Sequence, residues 1–372
     1  MTRIRRQVAL VHDYWISLRG GERIFLGLRR LFPEADLYTL IHGPNVPTER
    51  GEAPPAFHPA PLRWVPGGDR HHRALLPLYP LAARTLDLRG YDLVISSSSG
   101  FCHGARTDGA HLCYCYTPLR YAWHEYAATI SDEPSRLRRA ALRPTLSLMR
   151  RMDYAAAQRV THYVAISIAT QKRIAEFYGR TSAIVHPFID TDRYHPVAAP
   201  DDYLLVVSQL LPYKRADLAV AACARLGRRL VVVGEGPERA RLEALAGPRT
   251  TFAGRVSEAE LTALYAGCAA LLQCGVEDFG MAALEAQASG RPVVAFAAAG
   301  ALETVVDGIS GVYFHEQTVE RVVEAIERLD RARFDPLALR AHAEHFDEAH
   351  FRAGISAVLR DAGIAPALRG HT

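Results

Sequence analysis

The stretch that decides the fold lies at residues 270–297 and reads ALLQCGVEDFGMAALEAQASGRPVVAFA. It begins with a continuously apolar run, ALLQCG (270–275), and continues through a loop into a helical pattern over 281–289. Gly290 ends that pattern, and a second apolar run, PVVAFA (292–297), follows. Strand, helix and strand in this order predict two parallel strands joined by a crossover helix.

The same alternation of apolar runs and helical patterns continues through most of the chain. The apolar runs are continuous rather than alternating, which is typical of strands covered by helices on both faces of a parallel sheet. The helical patterns between them, such as 215–226 and 237–246, are long enough for crossover connections. The other candidate strands are QVALVH (7–12), DLVISSS (92–98), HLCYCY (111–116), HYVAIS (162–167), TSAIVH (181–186), YLLVVSQ (203–209) and RLVVVG (229–234).

A stretch rich in proline and aspartate, PFIDTDRYHPVAAPDD (187–202), interrupts this alternation. It holds three prolines, four aspartates and no long apolar run, as linkers commonly do. The sequence therefore predicts an N-terminal domain over 1–190 and a second α/β domain over 200–350. The tail that follows, at 337–363, has a helical pattern.

The composition is that of a soluble globular protein, since 49% of the 372 residues are hydrophobic and 23% are charged. The net charge of +4 is too small to indicate nucleic-acid binding. The six cysteines show no CxxC pair or zinc-like spacing, which fits the reducing cytoplasm. The apolar run before His12 is too short for a signal peptide, and no apolar stretch reaches the roughly 18 residues of a membrane-spanning helix, so neither is expected.

Two glutamates, Glu277 and Glu285, stand eight positions apart around the start of the predicted 281–289 helix. Open α/β sheets bind ligands at the carboxyl ends of their strands, where a helix N-terminus offers N–H groups to a phosphate. Gly280 lets the backbone approach a ligand closely, and a carboxylate accepts hydrogen bonds from a diol. The spacing suits a nucleotide sugar with its diphosphate between sugar hydroxyls and ribose. The alternative is a solvated loop followed by an ordinary helical glutamate.

A second motif, SQLLPYKRAD (208–217), ends one strand and opens a helix. Its Lys214 and Arg215 can meet a diphosphate at the same edge of the sheet. Lys214 stands out because the chain has only two lysines, the other being Lys172. The alternative is a solvated first turn of a helix.

Three glycine-containing motifs end or follow other strands: VVVGEGPER (231–239), FAGRV (252–256) and AAAGALETVVDGISG (297–311). The first, with Gly234 and Gly236, is a weak dinucleotide-like pattern, because the full GxGxxG is missing. The second predicts a strand and turn whose backbone at Arg255 and Val256 contacts a base. The third supplies a glycine turn at Gly300.

In this order and spacing the motifs resemble those of family-four retaining glycosyltransferases with the GT-B fold. The resemblance is dense over 203–315 and extends into the first half through VHDYW, RGGER, YDLVISSSSGFCHG and YCYTPLRYAW. That half is similar to bacterial enzymes that build lipopolysaccharide or exopolysaccharide, several of them mannosyltransferases. The resemblance implies an α/β fold of two facing, doubly wound Rossmann-like domains. It also implies a C-terminal helix, about 351–372, that packs back on the first domain.

The resemblance also implies roles for individual residues. Glu277 matches the first glutamate of the EX7E motif, which contacts the donor sugar, and Glu285 matches the second, which holds the ribose. Lys214 matches the phosphate-binding lysine, whereas Gln209 stands where many relatives carry an arginine, so that Arg215 compensates or Lys214 carries more of the phosphate binding. The backbone amides implied to face sugar and phosphate belong to Phe279, Gly280 and Met281.

The N-terminal domain is expected to supply the acceptor side. The resemblance implies that the loop at Gly20 and Gly21 faces the donor phosphates. His103, at the end of a predicted strand, is the best candidate for a polar group that contacts the acceptor, although a core or surface histidine fits equally well. Its rivals are Tyr116, Arg120 and His124 in CYTPLRYAWHEY, a run that aromatic packing also explains.

Two other segments have weaker interpretations. The sequence DTD at 190–192 imitates a metal-binding motif, but relatives of this type neutralise phosphates with basic side chains and a helix end, so neither a metal nor a cofactor is expected. The segment 135–153 holds six arginines among leucines and methionines, interrupted by Pro144. It predicts either contact with an anionic membrane surface or a solvated helix face.

The resemblance therefore implies a cytoplasmic enzyme, peripherally membrane-bound if the basic segment contacts lipid. The expected reaction is transfer of a hexose from a GDP- or UDP-sugar to a saccharide or lipid-linked saccharide, with GDP-mannose as the first candidate donor. Two alternatives remain open. One is a GT-B epimerase or hydrolase acting on the nucleotide sugar, and the other is a non-catalytic module that only binds it.

Overall fold

A computed structural model describes residues 6–44, 46, 48, 51–65 and 67–364. The chain divides into two compact units. The N-terminal unit runs to Val185 and resumes at Arg352, and the C-terminal unit comprises His186–Phe351. The helix expected near the C-terminus is observed as α13, Glu348–Asp361, most of which belongs to the N-terminal unit. Residues 365–372 of that expectation lie outside the described part of the chain.

The N-terminal unit contains a six-stranded sheet in the order β2-β1-β3-β4-β5-β6, and every adjacent pair of strands is parallel. Its strands are β1 (Arg6–His12), β2 (Asp36–Thr39), β3 (Tyr91–Ser98), β4 (Ala110–Cys115), β5 (His162–Ala165) and β6 (Ser182–Ile184). Its helices, apart from α13, are α1 (Gly20–Leu31), α2 (Tyr79–Thr85), α3 (Tyr126–Ser131), α4 (Arg136–Ala157) and α5 (Ile168–Tyr178).

The C-terminal unit contains a second six-stranded parallel sheet, in the order β12-β11-β10-β7-β8-β9. Its strands are β7 (Leu204–Val207), β8 (Leu230–Val233), β9 (Thr250–Gly254), β10 (Ala270–Gln273), β11 (Val293–Phe296) and β12 (Gly311–Phe314). Its helices are α6 (Ala216–Leu226), α7 (Arg239–Leu245), α8 (Glu258–Gly267), α9 (Met281–Ala288), α10 (Ala301–Thr304), α11 (Val319–Arg331) and α12 (Pro336–Glu344).

The stretch 270–297 forms the predicted crossover. Strands β10 and β11 pair in parallel, with Leu271 opposite Val293, and α9 connects them. Gly290 follows the end of α9 with a φ of +71°, the left-handed conformation that glycine adopts most easily. Both faces of these strands are covered, because β10 and most of β11 are buried. The predicted class, α/β with parallel sheets, is confirmed.

Two edge strands and the segment 187–202 differ from what the sequence patterns indicated. Strand β2, DLYT, carries Asp36 and Thr39 and so lacks a continuous apolar run, whereas the apolar strand β12, GVYF, was not predicted because it directly follows the glycine-containing motif 297–311. Within 187–202, the side chains of Phe188, Ile189 and Tyr194 are buried in the C-terminal unit. Its prolines and aspartates resemble those of a linker, but its buried apolar side chains make it part of the C-terminal unit.

Each unit has its own buried core of aliphatic and aromatic side chains. Tyr79 packs at 5.0 Å between ring centroids against Phe101 in the N-terminal unit, and Phe296 packs against Phe314 in the C-terminal unit. All six cysteines are buried and reduced, where they act as small apolar side chains. Within the described ranges, no helix combines the length and apolar character needed to cross a bilayer.

Candidate functional site

The strand order of the C-terminal unit brings the predicted donor-binding loops together. Strands β10, β7 and β8 are neighbours, and the segments that follow them carry the EDFG, PYKR and GEG motifs. Because parallel strands end at the same edge of a sheet, these three loops form one continuous rim. A small cavity at this rim is lined by side chains and backbone of Ser208, Lys214, Gln273, Gly275 and Glu277.

An ion pair joins two of these loops. The Nζ atom of Lys214 lies 2.5 Å from Oε2 of Glu277, and both side chains are partly exposed. The two residues are 63 positions apart in the sequence, yet the motif after β7 meets the motif after β10. The structure therefore brings together the cation predicted to bind phosphate and the carboxylate predicted to bind the sugar.

The close approach of these loops requires glycine at two positions. A Cβ atom on Gly275 would lie 2.6 Å from Cα of Lys214 and 2.7 Å from the carbonyl oxygen of Tyr213. A Cβ atom on Gly300 would lie 2.3 Å from Cα of Phe279, and the N–H of Gly300 donates to the carbonyl oxygen of Glu277 at 2.9 Å. These contacts fix the 275–280 loop against both neighbouring loops and so set the position of Glu277.

Gly280 caps the N-terminus of α9 with a φ of +98°. A Cβ atom on Gly280 would lie only 3.1 Å from Nε2 of Gln273, so glycine lets the backbone pack close to this amide. Gln273 is buried, and neither its Nε2 nor its Oε1 has a hydrogen-bond partner among the described residues. Buried amides are rarely left without partners. The helix N-terminus and this amide thus form a polar surface suited to an oxygen-rich ligand.

Glu285 lies on the second turn of α9 and is buried. Its Oε2 atom accepts a hydrogen bond of 2.7 Å from the hydroxyl of Tyr265 on α8. Burial, followed by the charge of Glu285, raises the pKa of Tyr265 well above its usual value, so the hydroxyl stays protonated and continues to donate. Tyr265 therefore holds the Glu285 carboxylate in one orientation.

Arg215 and Gln209 both lie on the loop after β7. Arg215 adopts a left-handed conformation with a φ of +50°, which is uncommon outside glycine, and its Nε donates to Asp217 at 3.1 Å. Its guanidinium is thus directed to Asp217 in this structure. The backbone carbonyl of Gln209 accepts from the hydroxyl of Ser208 at 2.8 Å.

The remaining predicted donor-binding residues surround this rim. A Cβ on Gly234 or Gly236 would overlap the carbonyl oxygens of Ser208 and Leu210, so these glycines seat the loop after β8 against the loop after β7. Arg255 is exposed and Val256 is partly buried, both just beyond the end of β9.

The two residues that flank Gly280 have different environments. Phe279 is buried and stacks on His186, with 5.3 Å between ring centroids. Met281, the first residue of α9, is partly exposed.

In the N-terminal unit, Gly20 and Gly21 begin α1 directly after the loop that leaves β1. The carbonyl oxygen of Gly21 accepts a hydrogen bond of 2.9 Å from the hydroxyl of Tyr116. A Cβ on Gly21 would make only ordinary contacts, the nearest at 3.7 Å, so packing alone does not require glycine here. Tyr116 therefore stabilises the glycine loop through this hydrogen bond, which the sequence did not indicate.

His103 lies in the segment that follows β3, and its side chain is buried. Its Nε2 atom lies 3.3 Å from Oδ1 of Asp153, and its Nδ1 lies 3.3 Å from the hydroxyl of Ser98. Burial lowers the pKa of His103, but the hydrogen bond and the charge of Asp153 outweigh it and raise the pKa to about 9. The imidazole is therefore positively charged at neutral pH. The proposed rivals, Arg120 and His124, contact Glu125 and Phe177 respectively.

Sequence reasoning missed several polar side chains. Tyr265 lies 20 positions before its partner Glu285, and Asp153 lies 50 positions after His103, so no local spacing connects them. Asp13 is buried and accepts from the backbone N–H groups of Ser99 and Cys102 at 2.5 and 2.7 Å, which holds the segment after β3 against the end of β1. The position of Asp13 directly after the predicted strand, in VHDYW, was the one sequence feature that could have indicated its role.

Two family models match the chain. The model described as "Glycosyl transferases group 1" matches residues 188–344, and the model described as "Glycosyltransferase Family 4" matches residues 18–193. The first match spans all six strands of the C-terminal sheet, and the second spans β2 to β6 of the N-terminal sheet. The matches confirm the predicted membership of the family-four glycosyltransferases, and retention of anomeric configuration stays a prediction.

Among curated proteins, a GDP-mannose-dependent alpha-(1-6)-phosphatidylinositol monomannoside mannosyltransferase of Mycobacterium tuberculosis is 31% identical over 237 residues. The alignment covers 55% of this chain, which spans about 60% of the relative's length. This similarity concerns part of each protein.

Among solved structures, sucrose-phosphate synthase of Thermosynechococcus elongatus superposes with a TM-score of 0.71 at 18% identity, covering 97% of this chain and all of that chain. Anabaena HepE in complex with UDP and glucose superposes with a TM-score of 0.67 at 17% identity, covering 96% of this chain and all of that chain. At such identities the similarity concerns the fold. Given the two family matches and the two six-stranded parallel sheets, the chain belongs to the family-four glycosyltransferases of the GT-B fold.

Proposed function

We propose that the chain transfers a hexose from a nucleotide sugar to a hydroxyl of a saccharide or lipid-linked saccharide, with retention of anomeric configuration. The observation that carries this proposal is the ion pair of Lys214 with Glu277 at the N-terminus of α9, beside the buried Glu285. A cation and a carboxylate in contact just before a helix N-terminus match the charge pattern of a nucleotide sugar, which supports the proposal.

In this proposal Lys214 binds the donor diphosphate and leaves its pairing with Glu277, whose carboxylate then accepts hydrogen bonds from sugar hydroxyls. The backbone at Phe279, Gly280 and Met281 presents N–H groups from the positive end of α9 to the phosphates. Glu285, oriented by Tyr265, accepts hydrogen bonds from the ribose diol.

The reaction then depends on charge that develops on the departing diphosphate. Lys214 and the α9 N-terminus stabilise this charge as the glycosidic bond breaks, in the role that a divalent metal has in other glycosyltransferases. The acceptor hydroxyl attacks from the face that the diphosphate leaves, and a leaving oxygen takes its proton. We infer that added metal is dispensable, so activity should survive EDTA.

The donor that we propose first is GDP-mannose, since the relative from Mycobacterium tuberculosis is named as GDP-mannose-dependent. A UDP-sugar is the second candidate, since the HepE structure contains UDP. A thermal-shift comparison of GDP-mannose, UDP-glucose and the free nucleotides ranks them, because a ligand that binds only the folded protein raises its Tm.

The decisive experiment incubates the protein with the best-ranked donor and saccharide acceptors, and follows the anomeric proton of the product by NMR. An α-linked product from an α-linked donor supports the proposal, and an inverted product contradicts it. A new nucleotide sugar formed without acceptor would instead indicate an epimerase, and a free sugar would indicate a hydrolase. Binding without turnover of any donor would indicate the non-catalytic module. That alternative remains because Gln209 stands where many relatives carry an arginine.

We also propose that α4 contacts an anionic membrane surface. Its residues Leu137 and Leu148 are exposed by 85% and 59%; Leu137 lies between two arginines, and two more follow Leu148 within three positions. Exposed leucines beside basic side chains suit the headgroup region of a bilayer. Co-flotation with vesicles containing phosphatidylglycerol tests this, and a protein with both leucines replaced by serine should float less.

A further inference from the structure

Strand β10 ends with a buried polar residue, Gln273, of which only 7% is exposed. Ala270 and Leu272, on the same strand, belong to the apolar core of the C-terminal unit. Successive side chains of a strand point to opposite faces, so Gln273 lies on the other face from these two. A Cβ atom on Gly280 would lie 3.1 Å from its Nε2 and 3.3 Å from its Oε1. The amide of Gln273 therefore lies directly against the residue that caps α9.

This amide makes no hydrogen bond within the part of the chain that the structure describes. Another buried glutamine of the same unit, Gln287 on α9, is paired at both ends. Its Nε2 donates to the carbonyl oxygen of Thr304 at 2.7 Å, and its Oε1 lies 2.6 Å from Nδ1 of His342. Buried amides are normally paired in this way, and leaving one unpaired costs free energy. An apolar side chain would avoid that cost, so stability alone does not explain a glutamine at position 273.

The unpaired amide borders the small cavity of the donor-binding rim, which Lys214 and Glu277 also line. The cavity has a volume of about 20 Å³, and a water molecule needs about 10–15 Å³. It therefore admits one water molecule or one hydroxyl group, but not a sugar ring. An amide suits a hydroxyl group, because its oxygen accepts a hydrogen bond and its nitrogen donates one. The cavity and the amide together form a subsite for a single hydroxyl.

We propose that Gln273 binds one hydroxyl group of the donor sugar and thereby selects among donor sugars. The inference rests on the proposed function, in which Glu277 accepts hydrogen bonds from the same sugar. Both residues line one cavity, so a sugar held by Glu277 can direct a neighbouring hydroxyl to Gln273. A sugar without this hydroxyl leaves the buried amide unpaired, and sites of this kind discriminate strongly against analogues that lack the bonded hydroxyl.

The test measures dissociation constants of nucleotide sugars by isothermal titration, so it requires no acceptor. The parent donor is whichever of GDP-mannose and UDP-glucose binds the wild type more tightly, and its 2-, 3-, 4- and 6-deoxy analogues are compared with it. The variant Q273M replaces the amide with an apolar side chain of similar length. The matched control, Q287M, changes the paired glutamine of α9, which does not line the cavity.

We expect one deoxy analogue to bind the wild type and Q287M about 10-fold or more weakly than the parent donor, and to bind Q273M as tightly as the parent does. Q273M should also bind the parent about 10-fold more weakly than the wild type does. Its affinity for free GDP or UDP should be unchanged, because the amide contacts the sugar. The Tm of Q273M should be at least that of the wild type, whereas Q287M should melt at a lower temperature because it breaks two hydrogen bonds.

The inference is overturned if every deoxy analogue shows the same loss of affinity in Q273M as in the wild type. An equal loss in Q273M for the parent and all four analogues would mean that a bound water, and not a donor hydroxyl, pairs with the amide. The variant Q273L repeats the comparison, so the result does not depend on how well one replacement packs. A wild type that binds neither nucleotide sugar would contradict the proposed transferase function, whereas normal binding with unchanged selectivity in Q273M contradicts only the role of Gln273.

Discussion

The hydroxyl of Tyr265 donates a hydrogen bond of 2.7 Å to Oε2 of Glu285, and both side chains are buried in the C-terminal unit. The bond connects α8 to α9. It fixes the carboxylate that we propose to hold the ribose, and it satisfies a buried negative charge. The orientation of Glu285 therefore depends on a residue outside the EX7E motif.

Replacing Tyr265 with phenylalanine removes this bond and little else. A hydrogen bond to a charged group contributes about 1.5–3 kcal/mol, so Y265F should weaken nucleotide binding by about 10-fold or more. The measurement is titration with GDP and with UDP. The matched control is Tyr203→Phe, since Tyr203 donates to the backbone of Leu264 and not to Glu285. Equal nucleotide affinity in Y265F and Y203F would show that nucleotide binding does not depend on the bond from Tyr265 to Glu285.

Replacing Lys214 separates its role in phosphate binding from its pairing with Glu277. K214Q should lower transfer by about 100-fold or more, as loss of one group that stabilises the developing charge typically does. K214R retains the charge and should recover part of the rate. Initial rates at saturating donor, with Lys172→Gln as the control lysine, provide the measurement. A K214Q enzyme with near-normal turnover would remove Lys214 from the site.

Much of the fold was predictable because parallel strands bury both faces. The runs at 204–207, 230–233 and 270–273 are continuously apolar, and each is followed by a loop with a recognisable motif. Strand β12, GVYF, was not predicted because it directly follows the glycine-containing turn motif that ends at Gly311. Tertiary pairing with β11, rather than local pattern, makes it a strand.

The site was predictable only where its residues fall within motifs. Lys214 and Glu277 were each identified from a motif, but their contact arises from the adjacency of β7 and β10. Gln273 was assigned to an apolar strand, and its unpaired amide becomes evident only with Gly280 beside it. Side chains that act through contacts distant in sequence leave no periodic signal.

Adding a methyl group to Gly275 should displace the loop that carries Glu277. The Cβ of alanine would lie 2.6 Å from Cα of Lys214, and backbone cannot yield as a flexible side chain can. Overpacking of this kind costs about 1–3 kcal/mol, so G275A should lower both the free energy of unfolding and donor affinity. The control is G43A, whose Cβ would have its nearest contact at 3.6 Å. Denaturant unfolding and nucleotide titration measure the two effects, and a G275A protein as stable as G43A would contradict the tight packing.

The buried pair of His103 and Asp153 should make stability depend on pH. The pKa of His103 is about 9 in the folded protein and 6.5 for the free side chain, so its contribution is fully present below pH 6.5 and is lost as the pH rises through 9. That shift corresponds to about 3 kcal/mol.

The variant D153N keeps an oxygen acceptor for Trp123 and Tyr178 but removes the charge that keeps His103 protonated. Wild-type Tm should therefore fall between pH 7 and pH 9, whereas the Tm of D153N should be lower at pH 7 and nearly flat across that interval. Other groups, such as Glu22 with a pKa of about 7, titrate in both proteins and cancel in the comparison. Parallel Tm curves for the two proteins would mean that His103 is neutral in the fold.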